Sequence, residues 1–294
     1  MVYKYGPVVA GIDGSADSIG ALRWAADEAH RLTRTLLAVT ALPGGAPAGP
    51  DVATRAAAEA RRWLVGIEAV GATRPGTPIE VLRALAEEAC LVVVGGRGAG
   101  AGTGGAKPLG SVSQALGTRA DAPVLIVHDA RRWAAPDAAL PRGAPVVAGF
   151  DGSDSAARAL RLAFAEAAAR GSRLVIVQAW SHPGLWHPGA GRGCDLSADG
   201  AAVRDALHEA AAPWCRRYPQ LDVEVRDEPR DPVHALAVAS QWASLLVVGT
   251  RCAADRAQPP NPSVTRRVLQ HAACPVLVAH GPALAPARLS PTAR

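Results

Sequence analysis

The stretch Pro7-Val-Val-Ala-Gly-Ile-Asp-Gly-Ser15 occurs a second time in the chain, as Pro145-Val-Val-Ala-Gly-Phe-Asp-Gly-Ser153. The apolar run in each copy does not alternate with polar residues, which is typical of a strand buried on both faces of a parallel sheet. The Asp-Gly-Ser that follows supplies side-chain oxygens that can start a helix. Each copy is therefore predicted to open an α/β unit.

Two more pairs of segments follow in the same order in both halves. Leu91-Val-Val-Val-Gly95 matches Leu245-Leu-Val-Val-Gly249, and Ala122-Pro-Val-Leu-Ile-Val-His128 matches Cys274-Pro-Val-Leu-Val-Ala-His280. Because three pairs keep one order, we interpret the chain as an internal duplication.

Apolar runs and helical spacing alternate along each half. Strands are predicted at 8–12, 36–41, near 67, 91–94 and 124–127, and again near 146–150, 174–179, 221–225, 245–248 and 276–279. Helices are predicted after Ser15, from Val52, over Pro78 to Ala89 and over Ser111 to Thr118. Such alternation predicts an α/β fold of two tandem, open, mostly parallel five-stranded sheets with helices on both faces.

The length of 294 residues suits two domains of ordinary size. We predict a first domain over 1–130, an Ala- and Pro-rich linker over 131–144, a second domain over 145–281 and a disordered tail over 282–294.

Composition limits the classes of function. The formal net charge is +5, but the basic residues form no run longer than two, which argues against a nucleic-acid partner. Five irregularly spaced cysteines do not resemble a disulfide framework. The first residues contain no apolar signal segment, and no apolar stretch is long enough to span a membrane. A cytoplasmic protein with no membrane partner is expected.

The carboxyl ends of three predicted strands in the first half define a candidate ligand site. Asp13 ends the first strand, Ala41 ends the second, and a glycine-rich loop from Gly95 to Ser111 follows the fourth. Glycines permit close backbone approach to phosphate oxygens, and the helix that starts at Ser111 contributes N–H groups and a positive dipole end.

Several side chains around this loop suit a nucleotide. Ser111 and Ser113 offer hydroxyls, Arg97 or Lys107 could neutralise phosphate charge, and Asp13 could hold a ribose hydroxyl or Mg²⁺. Two simpler interpretations stay open, because Asp13 could merely cap the following turn and the glycine run could be only a surface loop.

These residues resemble the universal stress protein family, whose members pair an Asp after the first strand with a late Gly-x2-Gly-x9-Gly-Ser/Thr loop. The likeness extends to Gly76-Thr-Pro78 and to the closing Pro-Val-Leu strand, in two copies. It implies that ATP, with or without Mg²⁺, is bound by Asp13 at ribose or metal, by the backbone of Ala41 at adenine and by the loop at the phosphates. The loop residues implied are Gly95, Gly98, Gly110, Ser111, Val112 and Ser113.

The phosphate loops depart from the family pattern in both halves. In the first half eleven residues separate Gly98 from Gly110, although nine separate Gly100 from Gly110. In the second half Cys252 and Pro262 stand where the second and third glycines are expected, and proline has no N–H to donate. We therefore predict that the second domain binds ATP weakly or not at all.

Other motifs give weaker signals. Gly100-x-Gly102-x-x-Gly105 matches a dinucleotide fingerprint but is joined tightly to neither a strand nor a helix. His182, His187 and Cys194 share a loop without the spacing of a zinc site, so no metal ligand is assigned. No nucleophile and base pair can be identified, so no catalytic residue is assigned and no dedicated enzyme is expected.

The resemblance implies an ATP-binding regulatory protein of the stress response, with a regulatory protein partner that the sequence does not identify. It also implies that the last strands, Val124–Val127 and Val276–Val278, pair within the chain as a pseudo-dimer, after which chains could associate further. Two alternatives remain: an interaction module of the same fold that binds no nucleotide, and a weak ATPase.

Overall fold

The computed structural model describes residues 2–44, 51–97, 109–128, 143–179, 196–250 and 264–280. The predicted tail, most of the predicted linker, Gly98 with the centre of the first glycine loop, the loop around His182 and the second-half loop through Cys252 and Pro262 lie outside these residues. Within the described part of the chain, no helix is long and apolar enough to cross a membrane.

Strands and helices alternate in both halves, as predicted. The strands are β1 (Val8–Gly11), β2 (Leu36–Leu42), β3 (Ala69–Pro75), β4 (Leu91–Gly95), β5 (Val124–Val127), β6 (Val146–Phe150), β7 (Leu174–Ala179), β8 (Val223–Glu228), β9 (Leu245–Gly249) and β10 (Val276–Ala279). The helices are α1 (Ala16–Leu32), α2 (Val52–Trp63), α3 (Pro78–Ala86), α4 (Ser111–Thr118), α5 (Asp154–Arg170), α6 (Leu196–Arg217), α7 (Pro232–Ala239) and α8 (Val264–His271).

The strands form one ten-stranded sheet in the order β3-β2-β1-β4-β5-β10-β9-β6-β7-β8. The α/β class and the predicted pairing of the last strands within the chain are confirmed, and through that pairing of β5 with β10 the two five-stranded units form one continuous sheet. Their pairing is antiparallel, with Leu277 opposite Leu125 and Val278 opposite Val124, whereas the other neighbours are parallel. A fully apolar β5 would be an exposed edge without this partner.

Helices cover both faces of the sheet. Side chains from α1, α2, α5 and α6 pack in one apolar layer, and side chains from α3, α4, α7 and α8 pack in the other. Each layer contains residues of both halves, so the hydrophobic core continues across the pairing of β5 with β10, which we call the seam. The repeated opening motif caps the first helix of each half, since Ser15 is the N-cap of α1 and Ser153 is the N-cap of α5.

Three predicted boundaries shift by two or three residues. β3 begins at Ala69 rather than near Ile67, α3 ends at Ala86 rather than Ala89, and β8 begins at Val223. The change after α3 has a physical cause, because the backbone N–H groups of Glu87 and Glu88 donate to the carbonyls of Ala84 and Leu85, three residues back, at 3.3 and 3.2 Å, which tightens the last turn.

Candidate functional site

A cavity of about 570 Å³ opens at the carboxyl ends of β1, β2 and β4, against the start of α4. It is where a parallel sheet with this strand order should bind a ligand. The predicted site residues that the structure describes all line it: Asp13, Ala41, Gly95, Gly110, Ser111, Val112 and Ser113. Gly98 lies outside the described residues.

Gly95 is needed for packing as well as for its place in the loop. A Cβ at this position would lie 2.8 Å from the carbonyl oxygen of Asp17, in the first turn of α1. The same crowding occurs in the second half, where a Cβ on Gly249 would lie 2.1 Å from the carbonyl oxygen of Ser155. The sequence interpretation assigned Gly95 only to phosphate and missed this helix contact.

Asp13 caps the turn that leads into α1. Its Oδ1 accepts hydrogen bonds from the backbone N–H of Ser15 at 2.9 Å and from the Ser15 hydroxyl at 2.6 Å. The side chain is exposed and also lines the cavity, so the turn-capping interpretation holds without removing Asp13 from the site.

The start of α4 forms the polar wall of the cavity. Gly110 is the N-cap and provides no side-chain cap, so the helix presents its first N–H groups and its positive dipole end to the cavity. The backbone N–H of Gly110 donates to the carbonyl of Gly96 at 2.8 Å, which closes the base of the loop.

The two serines of α4 differ in role. Ser111 is exposed at the cavity. Ser113 is 2% exposed, and its hydroxyl donates to the carbonyl of Gly95 at 2.6 Å. The Ser113 proton therefore holds α4 against the end of β4, and the place of Ser113 in a phosphate loop stays a prediction.

The lining also contains an apolar wall, which was not predicted. Val39, Pro78, Leu82 and Leu109 line it. Such a surface suits the face of a flat ring such as a purine, while Arg97 brings a positive charge to the lining. The sequence predicted the helix from Pro78 but not that Leu82 would line the cavity, because that depends on how the helix packs.

The second half repeats the side-chain hydrogen bonds that surround the first-half site. Ser153 donates to Asp151 through its N–H at 3.0 Å and its hydroxyl at 2.5 Å, and the Thr265 hydroxyl donates to the carbonyl of Gly249 at 2.6 Å. These contacts repeat those of Asp13 and Ser113.

The carbonyl of Thr250, which corresponds to Gly96, accepts a hydrogen bond from Nη2 of Arg158 at 3.3 Å. In the first half the equivalent donor is the N–H of Gly110, and Pro262 at the matching place has none. Among the described residues, the buried guanidinium of Arg158 therefore takes the place of the backbone donor at this carbonyl.

A larger cavity of about 770 Å³ lies at the other end of the first half and includes Tyr5, Arg34 and Glu68. It faces the amino ends of the strands, where open parallel sheets do not place their ligands. We therefore assign the candidate site to the smaller cavity.

Fold and site together define a tandem, Rossmann-like α/β protein with a glycine-bounded cavity at its strand ends. The sequence model of the universal stress protein family matches residues 4–128 and 144–280, and the chain belongs to that family.

Known proteins of similar sequence share this assignment. The chain is 35% identical to a universal stress protein of Mycolicibacterium smegmatis, with 94% of this chain and 97% of that protein aligned. It is 32% identical to universal stress protein Rv2005c of Mycobacterium tuberculosis over 92% of this chain and 96% of that protein. A crystal structure of a universal stress protein from Archaeoglobus fulgidus has the same fold, with a TM-score of 0.65 at 18% identity, covering 93% and 97% of the two chains.

Proposed function

We propose that this protein is a non-enzymatic, ATP-binding regulator of the stress response and that its first half holds the nucleotide. The observation that carries the proposal is the composition of the cavity, whose lining combines apolar side chains with an uncapped helix start. Purine rings favour the first surface, and phosphates favour the second. Asp13 would contact the ribose or a Mg²⁺ ion between them.

Binding without turnover fits the residues of the cavity wall. Asp13 is the one carboxylate among the described residues that line the cavity, and none of them is a histidine. Its Oδ1 is engaged by Ser15, which makes it a poor base for activating water. Nucleotide occupancy would act by favouring one conformation of the site and of the surface that a protein partner recognises.

One observation supports a role without nucleotide for the second half alone. There Arg158 is 7% exposed and bonds the carbonyl that starts the loop. We therefore propose that the second half serves as a structural partner, while the first half keeps the ligand.

A thermal-shift titration with ATP and Mg²⁺ tests the proposal. ATP in hundredfold excess over its dissociation constant should stabilise the wild type by about 2.7 kcal/mol. Ser111→Asp should abolish the shift, because a carboxylate in the first turn of α4 favours the helix dipole but repels phosphate. Ser111→Asn is the matched neutral control and should keep the shift.

The absence of any shift in the wild type at millimolar ATP would contradict nucleotide binding and leave the interaction module. Release of ADP during incubation, lost in Asp13→Ala, would instead support the weak ATPase.

A further inference from the structure

The side chain of Lys4 joins the far ends of the two helices that line the candidate site. Its Nζ donates to the carbonyls of Ala86 and Glu87 at 2.8 and 2.7 Å, and to the carbonyl of Asp121 at 3.2 Å. Ala86 is the last residue of α3 and Glu87 is its C-cap, whereas Asp121 lies in the connection between α4 and β5. One ammonium group therefore ties the end of α3 to the chain that leaves α4.

The carbonyl of Ala86 needs a donor from outside the helix. A continued helix would supply the backbone N–H of Cys90, but that N–H donates to the carbonyl of Pro7 at 2.9 Å. The carbonyls at a helix end also form the negative end of its dipole, so this position favours a cation. Lys4 provides the charge together with the hydrogen bonds, which are stronger because the donor is ionised.

The segment that carries Lys4 is fixed on both sides of this residue. After Lys4, a Cβ on Gly6 would overlap the carbonyl oxygen of Glu88, so the backbone passes directly against the turn that follows α3. Before Lys4, the Tyr3 hydroxyl donates to Oε1 of Glu166 in α5 at 2.5 Å. The position of the ammonium group is therefore set by the backbone on either side as well as by its own hydrogen bonds.

The second half makes the same junction with a different group. Its helix α7 corresponds to α3 and has Ser240 as its C-cap, whose Oγ accepts a hydrogen bond from the backbone N–H of Ala273 at 2.9 Å. Ala273 corresponds to Asp121, because each directly precedes the repeated closing segment of its half. In the first half the C-cap is Glu87. The ends of the two helices are thus joined in both halves, by a serine in one and by Lys4 in the other.

The opposite ends of α3 and α4 form part of the cavity. α3 contributes Pro78 and Leu82 to the lining, and α4 contributes Ser111 and Val112, whereas Lys4 does not line it. The helices have nine and eight residues, so each is only about 12–14 Å long. Short helices move as rigid units, and a shift at the far end of either one also displaces its residues at the cavity.

We propose that Lys4 is a positioning residue for the candidate site, which it serves by fixing α3 relative to α4. α3 carries part of the apolar wall, and the start of α4 offers its N–H groups to phosphate, so the distance between them determines whether one nucleotide can contact both. The inference rests on the proposed function, because the affinity concerned is that for nucleotide.

Calorimetric titration of the full chain with ATP and Mg²⁺ tests the role of Lys4. Lys4→Met keeps a long side chain but removes the three donors, and it should weaken binding by about fivefold or more. Lys4→Arg supplies donors again and should restore most of the affinity. Tyr3→Phe is the matched control, because it removes a hydrogen bond of the adjacent residue and leaves Nζ of Lys4 in place, and it should not change the affinity.

Amide hydrogen exchange without nucleotide gives a second readout, which a general loss of stability would not reproduce. In Lys4→Met, exchange should accelerate in α3 and stay unchanged in α7, the matching helix of the second half. Wild-type affinity in Lys4→Met, an equal loss in Tyr3→Phe, or exchange in α3 that changes no more than in α7 would overturn the role of Lys4. A wild type that binds no ATP contradicts the proposed function, and exchange then decides alone whether Lys4 positions α3.

Discussion

Single residues at the strand ends determine whether helices can approach the sheet closely enough to form the site. Gly95 shows this most clearly, because the chain of α1 passes where its Cβ would be. Gly96 is the next residue in the sequence, yet the nearest atom to a Cβ there is the carbonyl oxygen of Val127, at 3.4 Å. The approach of α1 therefore requires glycine at position 95, whereas no comparably close contact requires it at position 96.

Gly95→Ala should destabilise the protein by about 1–3 kcal/mol, the usual cost of forcing extra volume into a packed site. Gly96→Ala is the neighbouring control and should change the free energy of unfolding by less than about 1 kcal/mol, since its contacts are at ordinary distances. Urea unfolding of both variants measures the difference. Equal destabilisation would show that the approach of α1 is not what requires Gly95.

The sequence predicted the position of some site residues but not of others. Asp13, Ala41 and Ser111 could be placed at one edge, because the carboxyl ends of parallel strands meet there and each residue ends a strand or starts a helix. The apolar wall with Leu82 could not be derived from strand ends alone, since it depends on how α3 packs. The bond from the Ser113 hydroxyl to the carbonyl of Gly95 was not predicted, because a backbone carbonyl partner leaves no trace in side-chain spacing.

At the scale of elements, buried apolar runs predicted nearly every strand, because strands covered on both faces need no polar alternation. The boundaries that shifted are those where a turn closes through backbone hydrogen bonds. For example, the N–H of Leu221 donates to the carbonyl of Tyr218 at 3.0 Å, which delays β8 to Val223. The domain limits at 130 and 145 stay predictions, since the linker between them lies mostly outside the described residues.

The strand β10 ends on a buried imidazole, which makes stability depend on pH. Burial and Arg158 lower the pKa of His280 from 6.5 to about 4 in the folded state. Between these values the unfolded chain binds more protons than the folded one, so stability is present above pH 6.5 and is lost as the pH falls toward 4. This residue should contribute a loss of about 2 kcal/mol between pH 7 and pH 5.

Urea unfolding of the wild type and His280→Asn at pH 7 and pH 5 isolates this contribution, because the other titrating groups are common to both proteins. The variant should lose less stability on acidification than the wild type. An identical pH dependence in the two proteins would show that His280 is protonated equally in the folded and unfolded states.

At the scale of the whole molecule, a network of buried ion pairs connects the two halves in addition to the seam. Glu28 of α1 and Glu166 of α5 occupy matching places in the two halves, and both are 1% exposed. Arg31 and Arg170 each form ion pairs with both carboxylates, and the Tyr3 hydroxyl donates to Oε1 of Glu166 at 2.5 Å. Burial disfavours ionisation of Glu166, but the two guanidinium groups outweigh it and lower its pKa.

This network makes the two halves dependent on each other, since each carboxylate is neutralised by arginines from both. Glu166→Ala would leave two buried guanidinium groups sharing one carboxylate, and we expect it to destabilise the protein by about 3–5 kcal/mol. Glu59→Ala is the control, because Glu59 pairs with Arg62 at 3.3 Å on the surface and such pairs contribute only about 0–1 kcal/mol.

The measurement is urea unfolding at pH 7, followed by circular dichroism. If the halves depend on each other as the shared charges imply, Glu166→Ala moves one cooperative transition to lower urea. A destabilisation by Glu166→Ala no larger than that by Glu59→Ala would contradict this role of the network.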